Sequence, residues 1–259
     1  MIAKADLIEG MVKGMAVLES FDTERQRLNA TQAAQRAGIT RAAARRHLLT
    51  LAHLGYLETD GSHYWLSSKV LRFSGSYLAS ARLPRILQPA LDKLAAQTGQ
   101  AHSAVVLNGD EVVIVARNAE LRRAGDGAPP VLAYGLHLGA RLPAHATSTG
   151  RVLLASLPRA AFSAWMRGRQ LTRLTVHTVT EPRAFRALIE QVRREDHCLS
   201  SEEHELGVHA LAVPVRNPAG HAVAALNVVA STARLSPEAM RRDLLPLLWD
   251  AARELRPLL

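Results

Sequence analysis

Thr31 to Gly55 reads TQAAQRAGITRAAARRHLLTLAHLG, and its spacing predicts two short helices joined by a tight glycine turn. Thr31 is placed to cap the first helix. Gly38 is placed to end it, because glycine alone takes the left-handed C′ conformation without steric cost. Thr40 then caps a second helix in which Ala44, Leu48 and Leu51 recur on one face while Arg41, Arg45 and Arg46 fall on another, and Gly55 closes it. Small residues and arginines in the first turns, anchored from behind by leucines, are what docking in a DNA major groove requires, since bulk there would hold guanidinium groups away from base edges. Taken alone, the stretch is equally an amphipathic helical hairpin with a solvated basic face. The next residues, YLETDGSHYWL from Tyr56 to Leu66, decide between the two. They are two strand-like runs around Asp60-Gly61, the strongest local hairpin signal. A helix-turn-helix followed at once by a hairpin is a winged helix.

Working outward, Val12, Met15, Ala16, Leu18 and Phe21 recur at helical spacing and predict a supporting first helix whose apolar side is core. Asp22 to Asn29 reads as a polar loop. After the wing, Ser67 to Ser80 spaces Val70, Leu71, Phe73, Tyr77 and Leu78 as a helix. Exposed apolar residues on such a linker suggest pairing with a second subunit. Pro84 permits a fresh helix that ends at Gly99.

From His102 the period changes. Ala104–Leu107 and Val112–Val115 predict a hairpin around Asn108-Gly109-Asp110-Glu111. Asn118 to Pro130 reads as a long glycine- and proline-rich loop, with further strands at Val131–Tyr134 and in the run ending at Leu142. Ala144 to Gly150 lacks any large apolar group, and the helix carried by Val152-Leu153-Leu154 follows it. Hydroxyls and unpaired amides meet at that helix start, which can bind an anion. Helices over Ala160–Met166 and Glu181–Glu195 follow, the latter capped by Thr180. Strands at Ala210–Val215 and Ala222–Val229 and a final helix capped by Ser236 complete an α+β second part, with strands and helices grouped.

The chain has 259 residues, 48% hydrophobic and 21% charged, which favours two folded domains. Its net charge of +9 and pI near 10.5 suit a polyanionic partner. Within the opening stretch Arg36, Arg41, Arg45 and Arg46 meet no acidic residue. A single cysteine, Cys198, excludes an intrachain disulfide framework and fits a reducing compartment. No apolar run is long enough to span a bilayer and the N-terminus has no signal-peptide pattern, so a cytoplasmic protein with no membrane partner is expected.

With these residues in view, the chain resembles the IclR family of bacterial transcription regulators, and within it the branch that controls aromatic-acid catabolism. The resemblance rests on Thr40–Arg46, on Leu54-Gly55-Tyr56-Leu57, on PAHATSTGRVLLA from Pro143 to Ala155, and on EHELGVHALAVPV from Glu203 to Val215. It implies a winged helix-turn-helix over residues 1–67, a linker helix over 68–82 and a GAF-like effector-binding domain over 83–259. It also implies palindromic operator DNA, a small organic acid effector such as an aromatic carboxylate, a homodimer or tetramer, and no cofactor. By matching positions, Thr40, Arg41, Ala42, Arg45 and Arg46 would meet DNA. His145, Thr147, Ser148, Thr149, Ser201, His209, Ala210, Asn227 and Val229 would line the effector pocket. His209 stands where that branch usually carries arginine, His145 replaces a common aromatic, and the loop before Pro130 is longer than usual.

Rival chemistries are weaker. His197 beside Cys198 would point to the opposite face of a strand and could not activate the thiol. Glu202, Glu203, His204, Glu205 and His209 could ligate zinc only by curling around a pocket, and otherwise form a solvated acidic loop. His102 and His145 read equally as packed, hydrogen-bonded residues. The competing overall reading is a small-molecule-binding or hydrolytic α+β protein whose basic helix mediates assembly.

Overall fold

In the computed structural model, which describes residues 3–22, 25–118 and 136–259, the chain separates into two units, Met1–Ser80 and Ala81–Leu259. All but Asn118 of the expected loop Asn118 to Pro130 and the expected strand Val131–Tyr134 lie outside the described residues, as do positions 23 and 24 of the loop before the second helix.

The N-terminal unit comprises α1 (Glu9–Leu18), α2 (Ala30–Ala37), α3 (Arg41–His53), the strands β1 (Leu57–Thr59) and β2 (Tyr64–Leu66), and α4 (Leu71–Ser80). Gly38 ends α2 at φ 65°, and Thr40 Oγ1 accepts the Ala43 amide at 3.3 Å to start α3. The cap of α2 is not Thr31 but Asn29, whose side chain accepts the amides of Thr31 and Gln32, each at 3.0 Å. The Gln32 carboxamide returns the bond to the Asn29 amide at 2.9 Å, a reciprocal capping box that Thr31 could not form. Asn29→Ala should therefore lower the stability of this unit by about 1 kcal/mol in urea unfolding of the full chain. An unchanged midpoint would show that the box contributes nothing.

Leu28, Val17, Ala33, Ala44, Leu48 and Leu57 close the small core of this unit. The side of α1 expected in that core is only partly there. Val17 and Phe21 are buried, whereas Val12 and Met15 are exposed along with Leu7, Ile8 and Met11. The small residues choose the packed face: a Cβ on Gly14 would already sit 3.5 Å from the His47 ring, so α1 lies on α3 through its glycine and turns its bulkier residues outward. The wing is also wider than a two-residue turn. Thr59 pairs with Tyr64, leaving a four-residue loop in which the Asp60 carboxylate accepts the amides of Ser62 at 2.9 Å and His63 at 2.7 Å. Leu28 and Tyr64 exchange both backbone hydrogen bonds, tying the wing to the entry of α2.

The second unit begins with α5 (Arg82–Thr98), closed by Gly99 at φ 66°. A six-stranded antiparallel sheet follows, in the order β5-β4-β3-β8-β7-β6. Its strands are β3 (Ala101–Asn108), β4 (Glu111–Arg117), β5 (Arg141–Pro143), β6 (Cys198–Ser201), β7 (Val208–Arg216) and β8 (Ala222–Ser231). Helices α6 (Ser148–Ser156), α7 (Arg159–Met166) and α8 (Pro182–Glu195) precede β6 in the chain, and α9 (Pro237–Ala239) and α10 (Leu245–Leu255) end it. The cap of α8 is Glu181, which accepts the amides of Arg183 and Ala184, in place of the expected Thr180. Between α9 and α10 the chain makes a π turn, Met240–Leu244, just before Pro246, which has no amide to donate.

Strand alternation divides this unit into two cores. Leu211, Val213, Val215, Leu226 and Val228 face α5 and α10. Val105, Ile114, Ala212 and Ala225 face α6 and α8. The second face is notably small at its centre, with alanines on β7 and β8, so that α6 lies low across the middle of the sheet. This is the expected α+β arrangement, with helices covering both faces of one curled sheet.

Candidate DNA-reading and effector-binding sites

Helix α3 presents two surfaces. Ala44 and Leu48 are fully buried, while Arg41, Ala42, Arg45 and Arg46 are exposed, and none of these arginines has a carboxylate partner among the described residues. Arg36 differs from its sequence reading: it forms an ion pair with Asp22 and donates to the Ser20 carbonyl at 2.7 Å. In the wing, Arg27 is likewise engaged, with Asp60 at 2.8 Å and the Trp65 ring at 4.2 Å. The Asp60 carboxyl is held well below the usual carboxylate range by the backbone amides of His63 and Ser62. The unpaired positive charge of this module is thus concentrated on α3, beside side chains no larger than alanine at position 42.

In the second unit the centre of interest is the start of α6. Thr147 is its cap, accepting the Gly150 amide at 3.2 Å, and Ser148 and Thr149 occupy its first turn, where amides lack intrahelical acceptors. Thr147, Ser148 and Thr149 are all buried, and Ser148 Oγ has no hydrogen-bond partner. The turn Ala144–Ala146 that precedes them carries His145, buried, with Nε2 donating to the Thr172 carbonyl at 2.9 Å. Burial holds the His145 imidazole below its ordinary pKa, and the Arg151 charge adds to that.

Register then decides which strand residues share this face. Ala210 pairs with Val229 and Ala212 with Asn227, so Ala210, Asn227 and Val229 all lie on the α6 side with Ala212 and Ala225. Asn227 Oδ1 accepts the Ser103 hydroxyl at 2.5 Å across the adjoining strand. Ser201 and His209 pair with each other and alternate to the opposite face, where Leu211 packs toward α10. The residue of β6 that belongs with the α6 side is Ser200, opposite Ala210 and 6% exposed. The structure therefore brings His145, Thr147, Ser148, Thr149, Ala210, Asn227 and Val229 to one side of the sheet and places Ser201 and His209 on the other. Ser103 and Ser200 were not singled out from the sequence, because the parity of a strand is visible only once its register is known.

A buried ion pair frames the site. Arg151, in the second turn of α6, has a side chain with 0% exposure that makes a bidentate pair with the Glu203 carboxylate and donates from Nε to the His145 carbonyl at 2.8 Å. Burial opposes the guanidinium charge, but the Glu203 carboxylate outweighs it and holds the pKa above the ordinary arginine value. The backbone around Glu203 is pinned as well: Thr175 donates to the Glu202 carbonyl and Thr178 to the Glu203 carbonyl, both at 2.6 Å. Glu202 and Glu203 are thus pinned against the fold and not solvated, whereas Glu205 is exposed. Nor do three His, Cys, Asp or Glu side chains converge to hold a metal anywhere among the described residues.

Cys198 is buried and its thiol is pushed up to about 11, first by burial, so it stays protonated. His197 Nδ1 donates to the Glu195 carbonyl at 3.0 Å, and its ring meets Trp249 edge-on. The two residues have no nucleophile–base geometry. No helix among the described residues is long and apolar enough to cross a membrane.

Residues 11–61 match the IclR helix-turn-helix domain, and residues 75–256 match the C-terminal domain of bacterial IclR transcriptional regulators. The Pca operon regulatory protein of Acinetobacter baylyi is 50% identical over 258 residues, covering 100% of this chain and 91% of that protein. The p-hydroxybenzoate hydroxylase transcriptional activator of the same organism is 50% identical over 257 residues, covering 99% and 94%. A crystal structure of a double mutant of the PobR inducer-binding domain from Acinetobacter, in complex with 3-hydroxybenzoic acid, superposes with a TM-score of 0.62 at 46% identity, over 68% of this chain and 98% of that one. With one family model matched on the winged unit, another on the sheet-bearing unit, and half of all residues shared with a regulator along the whole chain, the chain belongs to the IclR family of bacterial transcriptional regulators.

Proposed function

We propose that this protein is an aromatic-acid-responsive transcription regulator that reads a palindromic operator as a homodimer or a tetramer in the cytoplasm. The observation that carries the effector class is the 46% identity to an inducer-binding domain solved with a hydroxybenzoic acid, reinforced by the names of the two relatives at 50% identity. In this chain the carboxylate would meet the first-turn amides of α6 and the hydroxyls of Thr147, Ser148 and Thr149, while Ala210, Asn227 and Val229 form the floor. Helix dipole and unpaired amides both favour an anion there. His209 and Ser201, on the far side of the sheet, are outside this contact set.

DNA contact falls to Thr40, Arg41, Ala42, Arg45 and Arg46. One winged helix covers little DNA, so two heads are needed for specific affinity, and two heads related by a twofold axis read a palindrome. The exposed Leu71, Phe73 and Tyr77 of α4 and the outward apolar side of α1 supply surface for pairing within the N-terminal unit. Effector binding would act by favouring one subunit arrangement over another.

The test is a gel shift with the chain's own promoter DNA at fixed salt. Arg45→Ala/Arg46→Ala should weaken retention at least about 30-fold, since each arginine lost from a groove contact contributes on the order of 1–3 kcal/mol. Unchanged retention would remove α3 from the DNA interface and favour the assembly reading of the basic helix.

A further inference from the structure

His204 lies between β6 and β7, next to the clamped Glu203, and the packing around it leaves one atom unexplained. Its Nδ1 is buried and has no hydrogen-bond partner. Ser148 Oγ, on the first residue of α6, is in the same condition. An unmatched buried polar atom is unfavourable, and native structures keep few of them without a reason.

The two orphans belong to one neighbourhood. Glu203 is locked onto Arg151, one helical turn after Ser148, which places the 202–204 segment against the start of α6. His204 is also close enough to His145, three residues before Ser148, for a charge on one imidazole to disfavour a charge on the other. The charged and titratable groups around the pair are His145 from the preceding turn, Arg151 from α6, Arg169 after α7, Cys198 from β6, and Glu202 and Glu203 from its own segment. The two carboxylates are already engaged, Glu203 by Arg151 and Glu202 Oε1 by the Gly207 amide at 2.8 Å. Neither carboxylate acts on His204. His145 is served by the Thr172 carbonyl and the Glu203 charge, so what the neighbourhood leaves open are two buried polar atoms, His204 Nδ1 and Ser148 Oγ, which one anion could join.

We propose that His204 is a direct contact for the effector's carboxylate, received together with Ser148 Oγ, and that its imidazole takes up one proton from solvent as the acid binds. This rests on the effector reading above and deepens it. In the free protein, burial and then His145 hold the imidazole below its ordinary range, so it is neutral at pH 7. A carboxylate within hydrogen-bond distance of Nδ1 favours the imidazolium form and raises that pKa. The complex then holds more protons than the free protein, so affinity rises as pH is lowered from 8 toward 6. No bond other than N–H forms.

Calorimetric titration of the full chain with 4-hydroxybenzoate, protocatechuate and β-ketoadipate at pH 6.5, in PIPES and in bis-Tris, tests this directly. For whichever acid binds, the apparent heat should differ between the buffers by an amount that reports proton uptake. His204→Gln, which keeps a neutral donor, should bind with no uptake and no rise in affinity between pH 8 and 6. His204→Ala should bind about 10- to 100-fold more weakly at pH 6.5. Zero uptake by the wild type, or both variants matching it in affinity and uptake, overturns the role of His204 and leaves the effector reading standing. A wild-type chain that binds none of the three acids overturns the effector reading, and the role of His204 with it.

Discussion

Gly150→Ala should destabilise the C-terminal unit by about 3 kcal/mol or more, at the upper end of what overpacking costs. A Cβ built on Gly150 would lie 2.2 Å from the Ala144 carbonyl oxygen and 2.4 Å from the Ala144 Cα. Both are backbone atoms of the turn that carries His145, and neither can move aside as a flexible side chain would. Relief requires α6 to lift from that turn, breaking the Thr147 cap and drawing Arg151 away from the His145 carbonyl. The same displacement would open the proposed effector site, so the variant should lose acid binding even where it remains folded. Urea unfolding of the full chain, followed by circular dichroism, should show the C-terminal transition moved to lower denaturant. A wild-type midpoint would mean that α6 and the 144–146 turn are not in this close contact.

Glycine at 150 follows from proximity, not from backbone angle, and this marks a limit of sequence reading. Gly38 and Thr40 were legible because caps act within one turn of the residues they serve. Asn29 and Thr31 are both acceptable caps by type, and only the reciprocal partner Gln32 separates them. That pattern, Asn29-x-x-Gln32, was present in the sequence and could have been used. The outward side of α1 was not legible in the same way, since its apolar residues run around much of the helix and the choice of packed face is made by Gly14 against His47. In the second unit, the Thr147 region stood out by composition. Which strand residues join it depended on register, and a shift of one residue separates Ser200 from Ser201 and Ala210 from His209.

The same limit hid the most strongly coupled pair in the site. Arg151 follows a run of small residues in a helix that is otherwise buried, which asks for a carboxylate partner, but nothing local says which one. Its partner Glu203 lies 52 residues away, inside a segment whose acidic composition suggests solvent or metal. Only the placement of β6 beside β7 delivers it to α6.

Breaking that pair should be the most damaging single change in the site. Glu203→Ala leaves a guanidinium with 0% side-chain exposure and no counter-charge in a helix that crosses the centre of the sheet. Removing one member of a buried pair typically costs about 3–5 kcal/mol, because the remaining charge has neither water nor a partner. Arg151→Met should cost less, since the Glu203 side chain is 12% exposed and one oxygen already accepts the Val179 amide at 3.2 Å. The double change Arg151→Met/Glu203→Leu removes both charges and should recover most of the loss seen in Glu203→Ala. A double-mutant cycle read from urea midpoints should therefore show a coupling of several kcal/mol. Stability and function should then part company. The double variant regains the fold, but without the clamp that holds the 202–204 segment against α6 its affinity for the acid should stay below wild type. Additive single effects would show that Arg151 and Glu203 do not hold the fold as a pair, and a double variant that binds the acid normally would show that they do not position the site.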